Sequence, residues 1–174
     1  DIATHIYRTE RLKQGLSLSQ ITDEVCSVLG VKVKILPMSN DKFETRIISH
    51  DGSMHFEEYF VKKQCRDEVL GVELVGASTA KPSPGVLDAI LDSQKVVVCP
   101  SNPIVSIGTI LSVNGVRDAL RQTGARIVAV SPIVAGTPIK GPADKILNGL
   151  GLEVSAFGVA KLYSDFLDSI IIDN

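Results

Sequence analysis

Nine consecutive residues, Pro100-Ser101-Asn102-Pro103-Ile104-Val105-Ser106-Ile107-Gly108, combine two hydroxyls, a carboxamide and a glycine with two prolines. The prolines fix the backbone on either side of Ser101 and Asn102, so those side chains are held in place. Ser106 and Gly108 fall where a following helix would begin. Free backbone N–H groups, a hydroxyl and a small residue at such a point suit an anion such as a phosphate; the same residues also suit a rigid turn with helix caps.

A second segment runs Ser131-Pro132-Ile133-Val134-Ala135-Gly136 and then Lys140-Gly141-Pro142-Ala143-Asp144-Lys145. Lys140 would sit just outside a helix N-terminus, where a cation does nothing for the helix and suits an anionic ligand; it reads equally as a solvated loop lysine. In Pro37-Met38-Ser39-Asn40-Asp41, Met38 could pack softly against a flat ring while Ser39 and Asn40 orient its polar groups. Ser-Asn-Asp is also ordinary turn chemistry. Asp1 and His5, four apart on one helix face, could form a hydrogen bond that fixes the imidazole tautomer. They read either as a polar wall for a substrate or as a plain helix start. His50 and His55 flank a turn as surface residues. Asp165 and Asp168 read as a solvated helix face and a cap, because nothing nearby completes a hard-cation site. Walker, dinucleotide-fingerprint, nucleophile-elbow and His-Glu-x-x-His patterns are missing, so P-loop, hydrolase and zinc-protease chemistry lose.

These segments need elements to position them. Helical patterning over Asp1–Gln14 stops at Gly15, and Ser17 with Gln20 has capping-box spacing, with Leu16 and Ile21 placed as a staple. Val31, Val33 and Ile35 alternate with Lys32 and Lys34 as in a half-exposed strand. Thr45–Ser49 and Met54–Val61 predict a hairpin about Asp51-Gly52, with Val69–Val75 as a further strand. From Ser83 onward, Ser83-Pro84 caps a helix, and apolar runs at Lys95–Cys99, Ile127–Val130 and Ile170–Ile172 alternate with helices at Val116–Thr123, Pro142–Leu150 and Val159–Leu167. That alternation argues for βαβ units and a parallel sheet. The expectation is one α/β domain over 1–174, a Rossmann-like three-layer fold with a mostly parallel sheet. A small antiparallel hairpin subregion would occupy about 44–76, and the βαβ units about 83–174. Ligands would then bind beyond the carboxyl ends of the strands.

The 174 residues fit one domain, and 44% hydrophobic with 22% charged residues excludes a disordered chain. A net charge of -2 provides no basic field for a nucleic-acid backbone. Cys26, Cys65 and Cys99 form neither a disulfide framework nor a metal cluster, which points to a reducing cytoplasm. No apolar run is long enough to span a bilayer. With no initiator Met and patterned structure from the first residue, the chain reads as a piece of a longer protein.

Taken in order, the segments resemble one family. Asp1-Ile2-Ala3-Thr4-His5-Ile6-Tyr7-Arg8-Thr9, Leu36-Pro37-Met38-Ser39-Asn40-Asp41, the Cys99–Gly108 stretch, Val130–Ile133 with Lys140–Lys145, and Tyr163-Ser164-Asp165-Phe166-Leu167-Asp168 are similar to the 2-phospho-L-lactate transferases of deazaflavin coenzyme biosynthesis, over essentially the whole chain. The resemblance implies a magnesium-dependent transfer of a phospholactyl or phosphoenolpyruvyl moiety from a GDP-linked donor to the deazaflavin Fo, with release of GMP. It implies that Ser101, Asn102, Pro103, Ser106, Gly108 and Lys140 hold nucleotide or phosphate groups. It also implies that His5, Met38, Ser39 and Asn40 line the deazaflavin, and that a homodimer is possible. The family's Gly-rich loop and metal-binding Asp segment are not in this sequence, and position 40 is Asn where many relatives carry Asp. Magnesium ligands are therefore expected upstream, and the isolated piece is expected to be inactive. The alternatives are a non-enzymatic nucleotide-sugar-binding regulator of the related superfamily, or a plain structural α/β domain.

Overall fold

The computed structural model describes residues 2–173. Helix α1 (Ile2–Lys13) and helix α2 (Leu18–Val28) form an antiparallel pair. The capping box at the start of α2 is present: Ser17 Oγ accepts from Gln20 N, and Gln20 Oε1 accepts from Ser17 N. Glu24 ties the pair, accepting from Tyr7 Oη at 2.7 Å and from the Arg11 guanidinium. The apolar side expected for α1 is not buried here, since Ile2 and Ile6 are exposed. The strand expected at Val31–Ile35 is irregular and exposed instead. Alternation makes a segment capable of pairing, but a strand forms only where a neighbouring edge completes its hydrogen bonds, and none of the described strands pairs with this one.

Strand β1 (Glu44–Ser49) pairs antiparallel with strand β2 (Gly52–His55) across the Asp51-Gly52 turn. The second hairpin strand ends at His55, six residues earlier than the expected Val61. Phe56 opens a helical turn that continues as a short π-helix, Glu58–Lys62. The i,i+4 ion pair Glu58–Lys62 (2.9 Å) favours that helix over a strand. Strand β3 (Gly71–Val75) returns on the other side of β1, giving the order β2-β1-β3.

Helix α3 (Val86–Leu91) begins after Gly85, whose φ of 84° sets the turn. Contrary to the expectation from sequence, Ser83 does not cap it; its hydroxyl is buried without a partner. Strand β4 (Lys95–Val98), helix α4 (Ile107–Leu111), helix α5 (Val116–Gln122) and strand β5 (Arg126–Val130) follow. Then come the two-residue strands β6 (Ile133–Val134) and β7 (Thr137–Pro138), helix α6 (Ala143–Gly149), helix α7 (Ala156–Leu162) and strand β8 (Ser169–Ile171). Ser155 Oγ caps α7 by accepting from Gly158 N at 2.9 Å, so this helix starts three residues before the expected Val159.

Strands β4, β5 and β8 form a parallel sheet in that order. Register places Val96, Val98, Ile127, Ala129 and Ile170 on one face, where they pack with Val116, Leu120, Val159, Tyr163 and Phe166 as the main core. On the opposite face Val97 and Ile171 are 62% and 57% exposed. The expected third layer is therefore not present over these positions: helices cover one face of the sheet. A second core of Ile47, Met54, Tyr59, Cys65, Val69 and Ile146 joins the antiparallel sheet to α6.

Candidate functional site

Parallel strands all point their carboxyl ends the same way, and the segments leaving β4 and β5 meet there. Pro100, Ser101, Asn102 and Ser106 beyond β4, and Pro132 beyond β5, line one cavity of about 450 Å³. The β6–β7 hairpin turns tightly through Ala135 (φ 49°) and Gly136 (φ 79°), a pair suited to a two-residue hairpin loop. It delivers Ile139, Lys140 and Gly141 to the same cavity, which Phe56 and Phe60 also line.

Asn102 organises the first of these walls. Its Oδ1 accepts from the backbone N–H groups of Ile104 (2.9 Å) and Val105 (3.1 Å), and its backbone oxygen accepts from Ser106 and Ile107. Gly108 N donates to Pro103 O at 2.9 Å. All five amides from 104 to 108 are thus engaged inside the loop. The anion site expected from free amides at this helix start is not formed by the backbone, and α4 is only five residues long. What remains for a ligand is side-chain chemistry. Two backbone donors on Oδ1 fix the orientation of the Asn102 carboxamide, and its Nδ2 is buried with no protein partner. Leaving such a donor unsatisfied costs about 1–3 kcal/mol, which an acceptor oxygen on a ligand would relieve.

Lys140 is the one charged side chain among the described residues lining the cavity. Behind the aromatic side, burial pushes the Tyr59 phenol up to about 12, with Cys65 and nearby carboxylates adding to it; burial also raises the Cys65 thiol. Both stay neutral near pH 7, and Lys140, as the charged side chain on the lining, suits an anion.

The other sequence-chosen residues lie elsewhere. Pro103 and Gly108 face a separate depression with Leu111 and Tyr163. Gly108 is required there because a Cβ would sit 2.8 Å from Pro103 O. Met38 packs on the main core. Ser39 is 3% exposed and spends its hydroxyl locally, donating to Lys81 O at 2.6 Å and accepting from Asp41 N at 3.0 Å. Asn40 Oδ1 accepts from Ser19 N and Ser19 Oγ, tying this turn to the first turn of α2. His5 is exposed on α1, with its Nδ1 2.8 Å from Arg8 Nη2; the proposed partner Asp1 lies outside the described residues. None of these four lines the cavity. Among the described residues there is no group of three or more His, Cys, Asp or Glu side chains that could hold a metal ion.

Phe56 and Phe60 were not singled out in the sequence. Read as a strand, 54–61 offers them no special role. The signal that could have found them is Phe-x-x-x-Phe overlapping Glu58-x-x-x-Lys62, two helical spacings in one segment.

Asp165 and Asp168 are structural. Asp168 Oδ2 accepts from Ile127 N at 2.7 Å, capping the start of the buried run of β5. Asp165 is not a solvated face residue: it accepts from Arg117 Nε (2.8 Å) and Arg121 Nε (2.7 Å). Hydrogen bonds from Arg117 first and Arg121 next hold its carboxyl well below the usual range. A depressed folded-state value means stability that is present above the unfolded value near 4 and lost as pH falls toward the folded one. Wild-type thermal midpoints should therefore drop more steeply between pH 5 and pH 2 than those of Asp165→Asn. The difference at neutral pH should be about 1 kcal/mol, read by calorimetry at each pH. Parallel curves would show that the cluster is not coupled to folding.

The family profile described as 2-phospho-L-lactate transferase CofD matches residues 1–174. The chain belongs to this family. It is 44% identical to the 2-phospho-L-lactate transferase of Methanosarcina barkeri over 173 residues, covering 99% of this chain and 55% of that protein. It is 45% identical to the phosphoenolpyruvate transferase of Streptomyces griseus, covering 99% of this chain and 56% of that protein. The chain thus spans about half the length of the relatives it matches. A crystal structure of a UPF0052-family protein from Bacillus halodurans superposes with a TM-score of 0.67 at 20% identity, covering 96% of this chain and 51% of that one; this similarity shows the fold. No helix among the described residues is long and apolar enough to cross a membrane.

Proposed function

We propose that the complete protein transfers a phospholactyl or phosphoenolpyruvyl moiety from a GDP-linked donor to the terminal hydroxyl of the deazaflavin Fo. The hydroxyl oxygen forms a bond to the phosphorus that carries the three-carbon acid, the bond from that phosphorus to the GMP oxygen breaks, and the hydroxyl proton is released. In such transfers positioning and charge neutralisation supply most of the rate. Family membership supports the reaction class. The observation that carries the site is the single cavity at the β4 and β5 ends, where Ser101, Asn102, Ser106 and Lys140 converge. On this reading the Asn102 Nδ2 donor and the Lys140 ammonium meet phosphate oxygens, and Ser101 and Ser106 supply further hydroxyls. Magnesium would neutralise diphosphate charge, with ligands outside this chain.

Thermal shift with the complete protein tests the reading. A ligand at about 100 times its Kd adds roughly 2.7 kcal/mol of stability, a shift of several degrees. Fo together with GDP should produce it. A shift by a UDP-sugar instead would favour the regulator alternative, and no shift by either would leave only a structural domain.

A further inference from the structure

We propose that the parallel sheet is unfinished in this chain, and that a strand–helix unit from the rest of the polypeptide completes it. The strand would add to the open edge of β4, and its helix would cover the bare face. The two relatives compared above match over only 55% and 56% of their length. A strand with its crossover needs about 30 residues, so the unmatched part of such a protein is long enough.

The bare face is apolar and continuous. Parallel sheets occur almost only with both faces covered. Along β4, Lys95, Val97 and Cys99 alternate with the half-buried Val96 and Val98, and all three are exposed. Register sets Val97 beside Val128 and Val130 beside Ile171. Five side chains, Val97, Cys99, Val128, Val130 and Ile171, therefore share a surface that no described helix covers, with Lys95 and Arg126 where the strands begin.

Handedness says where the missing unit attaches. The order β4-β5-β8 follows the chain in one direction. Right-handed crossovers that step one way all lie on one face. Helices α3, α5 and α7 lie on that face, packing the main core through Val86, Val116 and Val159. Helices on the other face require steps the other way, and those require a strand beyond β4, whose outer edge pairs with no described strand.

Val31–Ile35 points to the same edge. It has strand alternation without a ladder, and Val33 is 70% exposed. The chain runs from it through α3 into β4, and a right-handed crossover on that face puts it on the open side of β4. Leu36 and Met38 pack on the same core as Val96 and Val98, yet no pairing joins Val31–Ile35 to β4. A strand inserted between the two would pair with both. Strand order would then reverse at β4, so the Ser101–Asn102 segment would stand at a switch point, where open α/β sheets bind ligands.

The test uses the complete protein and no ligand, so its outcome is independent of the transferase reading. Cys99 is a native reporter on the bare face, exposed in this chain. Its alkylation by iodoacetamide, followed by peptide mass spectrometry, should be at least about 50-fold slower in native protein than in urea. Hydrogen exchange at the amides of 31–35 should be slowed at least as much. Val97→Asp should lower the melting midpoint by about 5–10 °C. Val97→Thr keeps the branched shape and removes only apolar character; it should lose more than about 2 °C, and it decides the matter should the aspartate variant fail to fold. Smaller slowing at Cys99 or at 31–35 overturns the proposal, and so do Val97 variants that melt within about 2 °C of wild type. Protection of Cys99 that vanishes when a dimer is diluted to monomer also overturns it, by assigning the face to a second copy.

Discussion

Asn102→Asp should leave the fold intact and reduce GDP affinity by at least about 100-fold. The substitution separates two jobs that alanine would remove together. Oδ1 caps the turn by accepting from Ile104 N and Val105 N, and a carboxylate oxygen can do the same. The other atom changes from a buried donor without a partner to an acceptor bearing negative charge. Losing a hydrogen bond to a charged group costs about 1.5–3 kcal/mol. Repulsion from a phosphate about 4 Å away adds up to about 4 kcal/mol at an effective dielectric near 20. Together these exceed the roughly 2.8 kcal/mol that corresponds to 100-fold. Calorimetric titration with GDP, alongside a melting curve, reads both halves. Asn102→Ala should bind weakly too, but with stability lowered by about 1 kcal/mol from the lost caps. An aspartate variant that binds GDP like wild type would reduce Asn102 to a turn residue and leave its orphaned donor unexplained.

Legibility in the sequence followed how local each feature is. The capping box at Ser17 and Gln20 is a contact between residues three apart, and it is in place. Strands β4, β5 and β8 were readable as three short apolar runs alternating with helices, although one face of their sheet stays exposed at Val97 and Ile171. Val31–Ile35 has equally good alternation, yet strand formation also needs a distant edge, which no local pattern reports. The stretch after His55 carries strand-prone Phe, Tyr and Val, but the Glu58–Lys62 pair and the burial of Tyr59 turn it into a helix. That one misreading hid the aromatic wall.

The site divides the same way. Strand-end position brings Ser101, Asn102, Ser106 and Lys140 to one cavity, because the rule depends on topology more than on detail. Ser39 and Asn40 have the composition of a ligand-orienting loop, yet their hydrogen bonds go to Lys81, Asp41 and Ser19. Polar side chains in a turn serve the turn first, and only the coordinates show whether a donor remains. At Asn102 one does.

Gly149→Ala should destabilise the protein by about 2–3 kcal/mol, against a helix-propensity gain of about 1 kcal/mol already subtracted. Gly149 ends α6 with ordinary backbone geometry, so by propensity alone alanine would be an improvement. A Cβ there would lie 2.0 Å from Val69 O and 2.8 Å from Val69 Cβ, and Val69 is 2% exposed. Neither partner can yield cheaply, since Ile146 and Leu147 on α6 are wholly buried. The melting midpoint should fall by roughly 4–12 °C. Gly124→Ala is the matched control, because nothing lies within 4 Å of its Cβ position. The effect should also reach the cavity. Helix α6 begins where Lys140 and Gly141 line it, while Val69 closes the segment that leaves the π-helix. Gly149 against Val69, with Lys145 on Cys65 O, ties α6 to the segment that follows the π-helix. Fo and GDP should therefore both bind more weakly in Gly149→Ala at temperatures where it remains folded. An alanine variant as stable as the Gly124 control would mean that α6 shifts over Val69 at no cost, and the close approach would then not fix its position.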